Sequence, residues 1–276
     1  QDRGDRLDSA LWLTLAKAAI MGIVEGLTEF LPISSTGHLI LASSALGLTG
    51  PKVLAFEIII QGAAILAVCW EYRRLLWHTT ASLATDPDSR RFALNVLLGF
   101  LPLALLGLAF QETIEAKLFH PVPVAIALVI GGIAILIVDR RASRATLDAV
   151  AAVPVRSALL LGLWQALALI PGTSRSGATI IGGVALGMSR RLATEYSFFL
   201  AIPTLIGATL YKLYEERHLF VAADAAPFAI GAVVAFITAL VAVRGFIRFI
   251  STHSFAAFAW YRIVFGLLVL LIAWQA

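Results

Sequence analysis

Two carboxylates, three hydroxyl groups and a histidine lie close together in an apolar part of this sequence, in the stretch EGLTEFLPISSTGH from Glu25 to His38. Polar groups at membrane depth are costly and usually serve a function. Glu25 and Glu29 are four residues apart, so a helix would project both carboxylates from one face. We therefore expect the pair to share a divalent cation or a proton. The alternative is that one glutamate is protonated and both pack against a neighbouring segment.

A proline followed by hydroxyl residues predicts a helix break and a new helix N-terminus. Pro32 cannot continue the preceding helix. Ser34, Ser35 and Thr36 are favourable N-cap residues for the next helix. Its unpaired backbone N–H groups and positive dipole end form a candidate anion site. His38, on the first turns of that helix, could act as a general acid or base near neutral pH, although a lone histidine is more often structural.

A second break with similar chemistry occurs in the stretch PGTSRSG, which begins at Pro171. Pro171 ends one helix. Thr173, Ser174 or Ser176 can cap the next one. Arg175 adds a cation at that N-terminus, and its planar guanidinium suits phosphate. These patterns predict two helix N-termini and an arginine that face one cavity containing two glutamates. The alternative is that Arg175 only neutralises a glutamate across the interface.

The composition is that of a membrane protein. Of 276 residues, 60% are hydrophobic and 14% are charged, and the mean hydropathy is +0.90. Long continuous apolar runs between short polar loops indicate a polytopic helical membrane protein, because a transmembrane β-barrel would alternate apolar and polar positions. The formal net charge is +4, with most basic residues in loops, so the charge reflects membrane orientation and no nucleic acid is expected as a partner.

Six apolar runs are long enough to cross about 30 Å of hydrocarbon. They are residues 53–70, 92–110, 121–138, 196–214, 227–243 and 255–275. Two other regions, 10–48 and 157–188, each contain two apolar arms separated by one of the polar breaks. We predict that both are re-entrant helical hairpins with tips near the middle of the bilayer, surrounded by protein or a water-filled cavity. The predicted fold class is an all-α polytopic membrane protein with six transmembrane helices and two re-entrant helical hairpins.

The two hairpin regions resemble each other in sequence. A shift of 140 residues aligns 8 identical residues in the 26 positions from 22 to 47, and it places Glu25 opposite Gln165. We therefore predict a single membrane domain of two repeats, about 10–138 and 157–275, each with one hairpin and three spans. Because three is an odd number of spans, the second repeat enters the membrane upside down, which gives an inverted repeat.

Arginine and lysine predict the orientation. Twelve arginines lie in the loops 71–91, 139–156, 189–195 and 244–254, against seven basic residues, diluted by acidic ones, on the other side. The first group is therefore expected in the cytoplasm, with both termini outside. Arg262, within the last span, could snorkel to the cytoplasmic interface. Glu57 and Gln61 are expected at most to support the site.

The chain closely resembles the bacterial undecaprenyl-pyrophosphate phosphatase family, also called bacitracin-resistance proteins. The motif from Glu25 to Glu29 that runs into FLPISSTGH carries the resemblance, together with PGTSRSGAT from Pro171 to Thr179. The resemblance implies an enzyme of the bacterial inner membrane that hydrolyses undecaprenyl pyrophosphate to undecaprenyl phosphate and inorganic phosphate. This reaction recycles the lipid carrier of peptidoglycan synthesis. It also implies divalent-cation dependence and an active site that opens to the periplasm.

The resemblance and the residues together predict a set of roles. Ser35, His38, Glu29 and Arg175 are the predicted catalytic residues; Ser34, Thr36, Ser174, Arg175, Ser176 and Thr179 are predicted to bind substrate; and Glu25 and Glu29 are predicted to hold Mg²⁺ or Ca²⁺. Either Ser35, activated by His38, attacks the terminal phosphorus, or His38 activates a water molecule. Both mechanisms stay open, as does the choice between Ser34 and Ser35.

The same architecture is also typical of secondary transporters, in which half-helix N-termini bind anionic substrates. A flippase or a carrier for an anionic lipid or anion is therefore the alternative function. The serine–histidine pair beside the glutamate pair favours the enzyme, because a carrier does not need it. The expected partners are undecaprenyl pyrophosphate and membrane lipid, with a homodimer as a candidate assembly.

Overall fold

The computed structural model describes residues 2–118 and 120–275, which form eleven α-helices. They are α1 Asp2–Thr28, α2 Ser35–Ala45, α3 Pro51–Glu71, α4 Arg73–Ala81, α5 Pro87–Leu118, α6 Pro121–Asp139, α7 Val155–Ala166, α8 Arg175–Ala185, α9 Arg190–Glu215, α10 Ala225–Ile250 and α11 Ala256–Gln275. Short 3₁₀ turns join some of these helices, among them Leu167–Leu169 after α7.

The six predicted spans are confirmed as helices that are long and apolar enough to cross a membrane, namely α3, α5, α6, α9, α10 and α11. Several of them extend beyond their apolar runs, because a helix continues past the hydrocarbon until a cap or a breaker ends it. Thus α10 runs to Ile250, and Arg244 and Arg248, which were assigned to a loop, lie in its last two turns. The predicted loop 71–91 contains a further helix, α4.

Both polar breaks end one helix and begin another, as the prolines and hydroxyl residues predict. The first break separates α1 from α2, and the second separates α7 from α8. Helices α2 and α8 each have 11 residues, and α8 begins 140 residues after α2. Ser34 and Ser174, directly before these helices, have φ angles of 72° and 69° and are the two non-glycine residues with positive φ among the described residues. The two breaks therefore share an unusual local geometry.

Each hairpin packs against the other half of the chain. Helix α1 lies along α10, and α7 lies along α5. Glycine allows both close approaches, since a Cβ atom at Gly22 would lie 2.5 Å from the carbonyl oxygen of Gly231, and one at Gly162 would lie 2.8 Å from that of Gly99. Gly22 and Gly162 occupy equivalent positions in the sequence repeat. The packing of each hairpin against the other half of the chain is compatible with the inverted repeat and the re-entrant hairpins, which stay predictions.

The two breaks are in direct contact. The Ser176 hydroxyl, at the start of α8, donates a hydrogen bond of 2.8 Å to the carbonyl of Leu31 in the first break. Beside it, the fully buried Phe30 makes an edge-to-face contact with Phe198 of α9, at 5.5 Å between ring centroids. Such aromatic pairs contribute about 0.5–1.5 kcal/mol beyond the area they bury. These contacts hold the first break against α8 and α9.

Candidate active site

The residues of both breaks line one cavity of about 170 Å³. Six of the predicted site residues lie on its wall: Glu29, Ser34, Ser35, Thr36, Ser174 and Arg175. Gln61 of α3 and Leu103 and Thr204 of the long helices α5 and α9 complete much of the remaining wall. The structure therefore brings the hydroxyl residues of α2, one glutamate and the arginine of α8 to a common space.

The Glu29 carboxylate binds three other side chains at this cavity, through two hydrogen bonds and an ion pair. Its Oε2 atom accepts a hydrogen bond of 2.5 Å from the Ser35 hydroxyl and a longer one, of 3.4 Å, from the Gln61 amide. Its Oε1 atom lies 3.2 Å from Nη2 of Arg175. The carboxylate is thus fixed at both oxygens, and one of them is placed to take the proton of the Ser35 hydroxyl.

Arg175 joins the two hairpins through this ion pair. The side chains of Arg175 and Glu29 are both buried, at 8% and 4% exposure. Nη1 of Arg175 donates to the Ser197 carbonyl at 3.1 Å, whereas Nε–H is buried without a hydrogen-bond partner. A buried unsatisfied donor costs about 1–3 kcal/mol. An anionic oxygen that entered the cavity would offer this arginine a further acceptor.

The two helix N-termini at the cavity differ in their capping. At α8, the Ser174 hydroxyl accepts a hydrogen bond of 3.1 Å from the Gly177 N–H. At α2, Ser34 occupies the equivalent position but makes no side-chain capping bond. The first N–H groups of α2 therefore keep their capacity for an anion, because the dipole and the unpaired donors act together at a helix start.

Glu25 is fully buried behind Glu29 and does not line the cavity. Neither of its carboxylate oxygens has a hydrogen-bond partner. A buried ionised carboxylate without a partner is very costly, so the position fits a bound cation or a proton. No group of three or more His, Cys, Asp or Glu side chains suited to a metal occurs in the described part of the chain. The carboxylates of Glu25 and Glu29 would be oxygen donors of the kind that a hard divalent cation such as Mg²⁺ or Ca²⁺ prefers.

His38 lies beside the first break but does not reach Ser35 or Glu29. Its Nδ1 atom is 2.8 Å from the Ser34 carbonyl, and its Nε2 atom is 2.6 Å from the Tyr261 hydroxyl. Because a carbonyl can only accept, Nδ1 carries a proton, and in neutral histidine Nε2 then accepts from Tyr261. The ring also stacks on Phe265, at 4.6 Å between centroids. The geometry does not support the predicted activation of Ser35 by His38.

Ser176 and Thr179 lie behind the cavity wall. Ser176 is fully buried, and its hydroxyl binds the Leu31 carbonyl. Thr179 is 1% exposed, and its hydroxyl donates to the Ser197 hydroxyl at 2.6 Å. Both hydroxyls hold α8 in place against neighbouring elements. The predicted direct contact of these two residues with substrate is not supported by this arrangement.

Arg262 does not snorkel to the interface, and that expectation is wrong. The residue is fully buried, and its guanidinium donates to the carbonyls of Pro32 and Gly172, one in each break, at 3.2 and 3.0 Å. It also donates to the carbonyls of Ala127 and Leu128 in α6. The carbonyls freed by the two helix breaks attract this cation inward, because hydrocarbon offers them no other donor.

The family is decided by comparison with known proteins. A family model described as "Bacitracin resistance protein BacA" matches residues 18–268. The chain belongs to this family.

Relatives with curated names resemble the chain over nearly its whole length. A protein of Nitrosospira multiformis is 56% identical over 264 residues, which cover 96% of this chain and 97% of the relative. A protein of Acidovorax ebreus is 58% identical over 264 residues, covering 95% and 96%. One of Nitrosomonas europaea is 56% identical over 264 residues, covering 96% of each. All three are named undecaprenyl-diphosphatase. Family membership confirms the resemblance that the two motifs indicate.

Three residues around the site had roles that the sequence did not predict. The sequence did give a reason to consider Arg262, since an ionisable residue within a span is by default a candidate for function. No sequence feature singled out Tyr261 or Thr204, because an aromatic residue near the end of a span and a threonine within a span are both common. Only the packing of α11 and α9 against the breaks brings these residues to the site.

Proposed function

We propose that this protein is an integral membrane phosphatase that hydrolyses undecaprenyl diphosphate to undecaprenyl phosphate and inorganic phosphate. The observation that carries the proposal is the hydrogen bond of 2.5 Å from the Ser35 hydroxyl to the Glu29 carboxylate in a cavity that also contains Arg175. A nucleophile and a base in hydrogen-bond contact, beside a cation that suits phosphate, are the parts that phosphoryl transfer requires. The names of the close relatives support the same substrate.

In the proposed reaction, the Ser35 oxygen attacks the terminal phosphorus, and its proton passes to Glu29. The bond from that phosphorus to the bridging oxygen breaks, and undecaprenyl phosphate leaves. Glu29 passes the Ser35 proton to the departing phosphate and is again a carboxylate. Water then attacks the phosphoseryl phosphorus, and Glu29 accepts a proton from that water. As the bond from phosphorus to the Ser35 oxygen breaks, Glu29 returns this proton to Ser35, and inorganic phosphate is released. Arg175 and the first N–H groups of α2 stabilise the charge on the phosphoryl oxygens, which is the main catalytic requirement of such reactions.

We propose that Glu29 and Glu25 are the residues that would hold a divalent cation, Mg²⁺ or Ca²⁺. The ion would supply neutralisation of the diphosphate charge. The unpartnered carboxylate of Glu25 supports this assignment.

The proposed location is the bacterial inner membrane, with the cavity opening to the periplasm. The distribution of arginine between the two sides supports this orientation. Both hairpins that build the cavity belong to one chain. A cavity lined by one chain supports catalysis by a single copy of the protein.

The test is phosphate release from undecaprenyl diphosphate by the purified protein in detergent, with Mg²⁺, with Ca²⁺ and with excess chelator. We expect turnover that depends on the metal. Ser35→Ala should lower kcat on the order of 10³-fold or more, as loss of an activated nucleophile does. Ser43→Ala is the matched control, because Ser43 is a buried serine of the same helix whose hydroxyl binds the Leu39 carbonyl.

Two results would contradict the proposal in different ways. No turnover by folded protein with any metal would favour the carrier, which has no chemical step. Turnover that is equal in Ser35→Ala and Ser43→Ala would retain the phosphatase but assign the attack to water, with Glu29 as its base.

A further inference from the structure

A second, larger cavity adjoins the polar one. It has a volume of about 410 Å³ and lies between α5 and α9, with Ile58 of α3 and Leu169 at its sides. A volume of roughly 300–1,000 Å³ is usual for ligand pockets. Its wall is mainly apolar, with Phe100 and Leu108 from α5 and Ala208 from α9. We call this cavity the α5–α9 groove.

The groove is continuous with the candidate active site. Leu103 and Thr204 line both cavities. Each of these residues directly follows a proline inside its helix, Pro102 in α5 and Pro203 in α9. A proline inside a helix removes a backbone hydrogen bond and commonly bends the helix. The two cavities therefore share their wall next to the prolines of both helices.

The packing of α5 on α9 changes at the same point. Before the prolines, a Cβ atom at Gly99 would lie 2.5 Å from a methyl group of Leu200, so the helices are in close contact. After the prolines, a Cβ atom at Gly207 would meet its nearest neighbour, Phe100, at 3.9 Å, and one at Gly107 would meet Leu169 at 3.5 Å. Small residues usually bring membrane helices together. Here they leave a space open instead.

The far end of the groove does not suit a phosphate. Tyr211 and Lys212 line that end. The Lys212 ammonium is already paired with Glu215 at 2.7 Å and with Glu216 at 3.0 Å. An anionic head group there would face two carboxylates at once, which opposes its binding. The distribution of charge thus favours the diphosphate in the polar cavity and a hydrocarbon chain in the apolar groove.

We infer that the α5–α9 groove binds the isoprenyl units next to the diphosphate and so sets the preference for long-chain substrates. The inference rests on the proposed function, because it places the tail of the same substrate. Leu103 and Thr204 are the residues at which head group and chain meet. Burial of the first isoprenyl units in the groove orients the diphosphate toward Ser35, since binding energy from remote parts of a substrate positions its reacting atoms.

The main test fills the groove. Gly207→Leu is compared with Gly245→Leu, a control on α10 at an exposed helix glycine with no atom within 4 Å of its added Cβ. The measured quantity is the ratio of kcat/KM for undecaprenyl diphosphate to kcat/KM for the five-carbon dimethylallyl diphosphate. We expect this ratio to fall about tenfold in Gly207→Leu, through KM, because one or two misplaced methylene groups in an apolar pocket cost about that much. In Gly245→Leu the ratio should equal that of the wild type.

A second measurement uses the unaltered protein, so it does not depend on the folding of a variant. A prenyl diphosphate with a photoreactive diazirine in its second isoprenyl unit should label residues between 100 and 108 or between 204 and 212. Undecaprenyl diphosphate should compete with the labelling, and a phospholipid should not. Labelling of other helices, or equal competition by the phospholipid, would overturn the inference and identify the groove as an ordinary lipid contact.

The outcomes for the groove and for the proposed function are separable. Wild-type protein that hydrolyses neither substrate contradicts the phosphatase. Wild-type protein that hydrolyses both substrates with the same kcat/KM contradicts the groove alone.

Discussion

At the scale of single residues, the ionisable side chains near the first break have divided roles. Glu29 faces the cavity and accepts from Ser35, whereas Glu25 is buried without a partner and His38 is turned toward Tyr261. Geometry therefore assigns the proton of Ser35 to Glu29. His38 instead fixes the Ser34 carbonyl at the start of α2, which makes it a positioning residue in this arrangement.

This assignment predicts different losses for two glutamine variants. Glu29→Gln keeps the size of the side chain but cannot accept a proton, so kcat should fall about 10²–10⁴-fold. His38→Gln keeps an N–H donor for the Ser34 carbonyl and should cost no more than about tenfold, the equivalent of one neutral hydrogen bond of about 1 kcal/mol. The measurement is kcat at saturating undecaprenyl diphosphate, with His78→Gln, at an exposed histidine of α4, as the control. The reverse order of losses would restore His38 as the base.

The sequence predicted which residues would come together at the cavity, but not which of their side chains would face it. Ser174 and Arg175 point to the cavity, whereas Ser176 and Thr179, which are three residues apart and share a helix face, point away from it. Which residues face the cavity depends on the residue at which α8 begins. Pro171 and three possible caps do not predict that start to a single residue. The partner of His38 is 223 residues away in the chain, so no local pattern could reveal it.

At the scale of elements, α11 holds both breaks in place. Arg262 bonds to one carbonyl in each break, and the preceding residue, Tyr261, binds His38. A Cβ atom at Gly131 of α6 would lie 2.1 Å from the guanidinium, so this glycine provides the space for the arginine. The last helix of the chain thus supports the site without lining it.

Arg262→Met is expected to destabilise the protein and to lower kcat. It removes the donor from the buried carbonyls of Pro32 and Gly172, which lie in the breaks outside any helix. Each buried unsatisfied group costs about 1–3 kcal/mol. Arg262→Lys keeps the charge and part of the hydrogen bonding and should recover some of the activity. Thermal unfolding in detergent and kcat are measured for both variants and for Arg248→Met, a control at an exposed arginine of α10. Unchanged kcat and melting temperature in Arg262→Met would exclude this positioning role.

The elements themselves were largely predictable. Apolar runs located the six spans, because hydrocarbon thickness sets helix length, and prolines with hydroxyl residues located both breaks. The positive φ angles of Ser34 and Ser174 were not predictable, since residues other than glycine rarely adopt them. They depend on the tertiary contacts that hold each break, and strain of this kind is often found at functional sites.

At the scale of the whole molecule, the arginine distribution predicts the sidedness of every connection. The turn between α9 and α10 should face the periplasm, and the turn between α10 and α11 should face the cytoplasm. His218 and His253 are exposed histidines in these two turns. They offer a matched pair of positions for a test in the intact cell.

The test places single cysteines at these histidines. Cys69 is the one cysteine of the sequence, so Cys69→Ser provides the background. We expect a membrane-impermeant maleimide to label His218→Cys in intact cells and to label His253→Cys only after the cells are opened. The opposite pattern would contradict the predicted orientation, and labelling of both cysteines from outside would contradict the prediction that α10 crosses the membrane.

Hydropathy gave no indication of which helices are neighbours. The contacts of α1 with α10 and of α7 with α5 join residues far apart in the sequence, such as Gly99 and Gly162. Small residues like those at these contacts also occur at exposed positions such as Gly245. The sequence repeat was the one clue, because Gly22 and Gly162 are equivalent in it.

The packing of each hairpin against the other half of the chain bears on how such a chain could arise. Each half places its own first hairpin arm against a helix of the other half. A half-length ancestor would have lacked the helix on which that arm packs most extensively. The predicted inverted repeat would let two identical chains, inserted in opposite directions, supply that helix to each other. Fusion of the two genes would then have fixed the pairing. Once fused, the two copies no longer needed to remain alike, and one could retain a glutamate where the other acquired a glutamine.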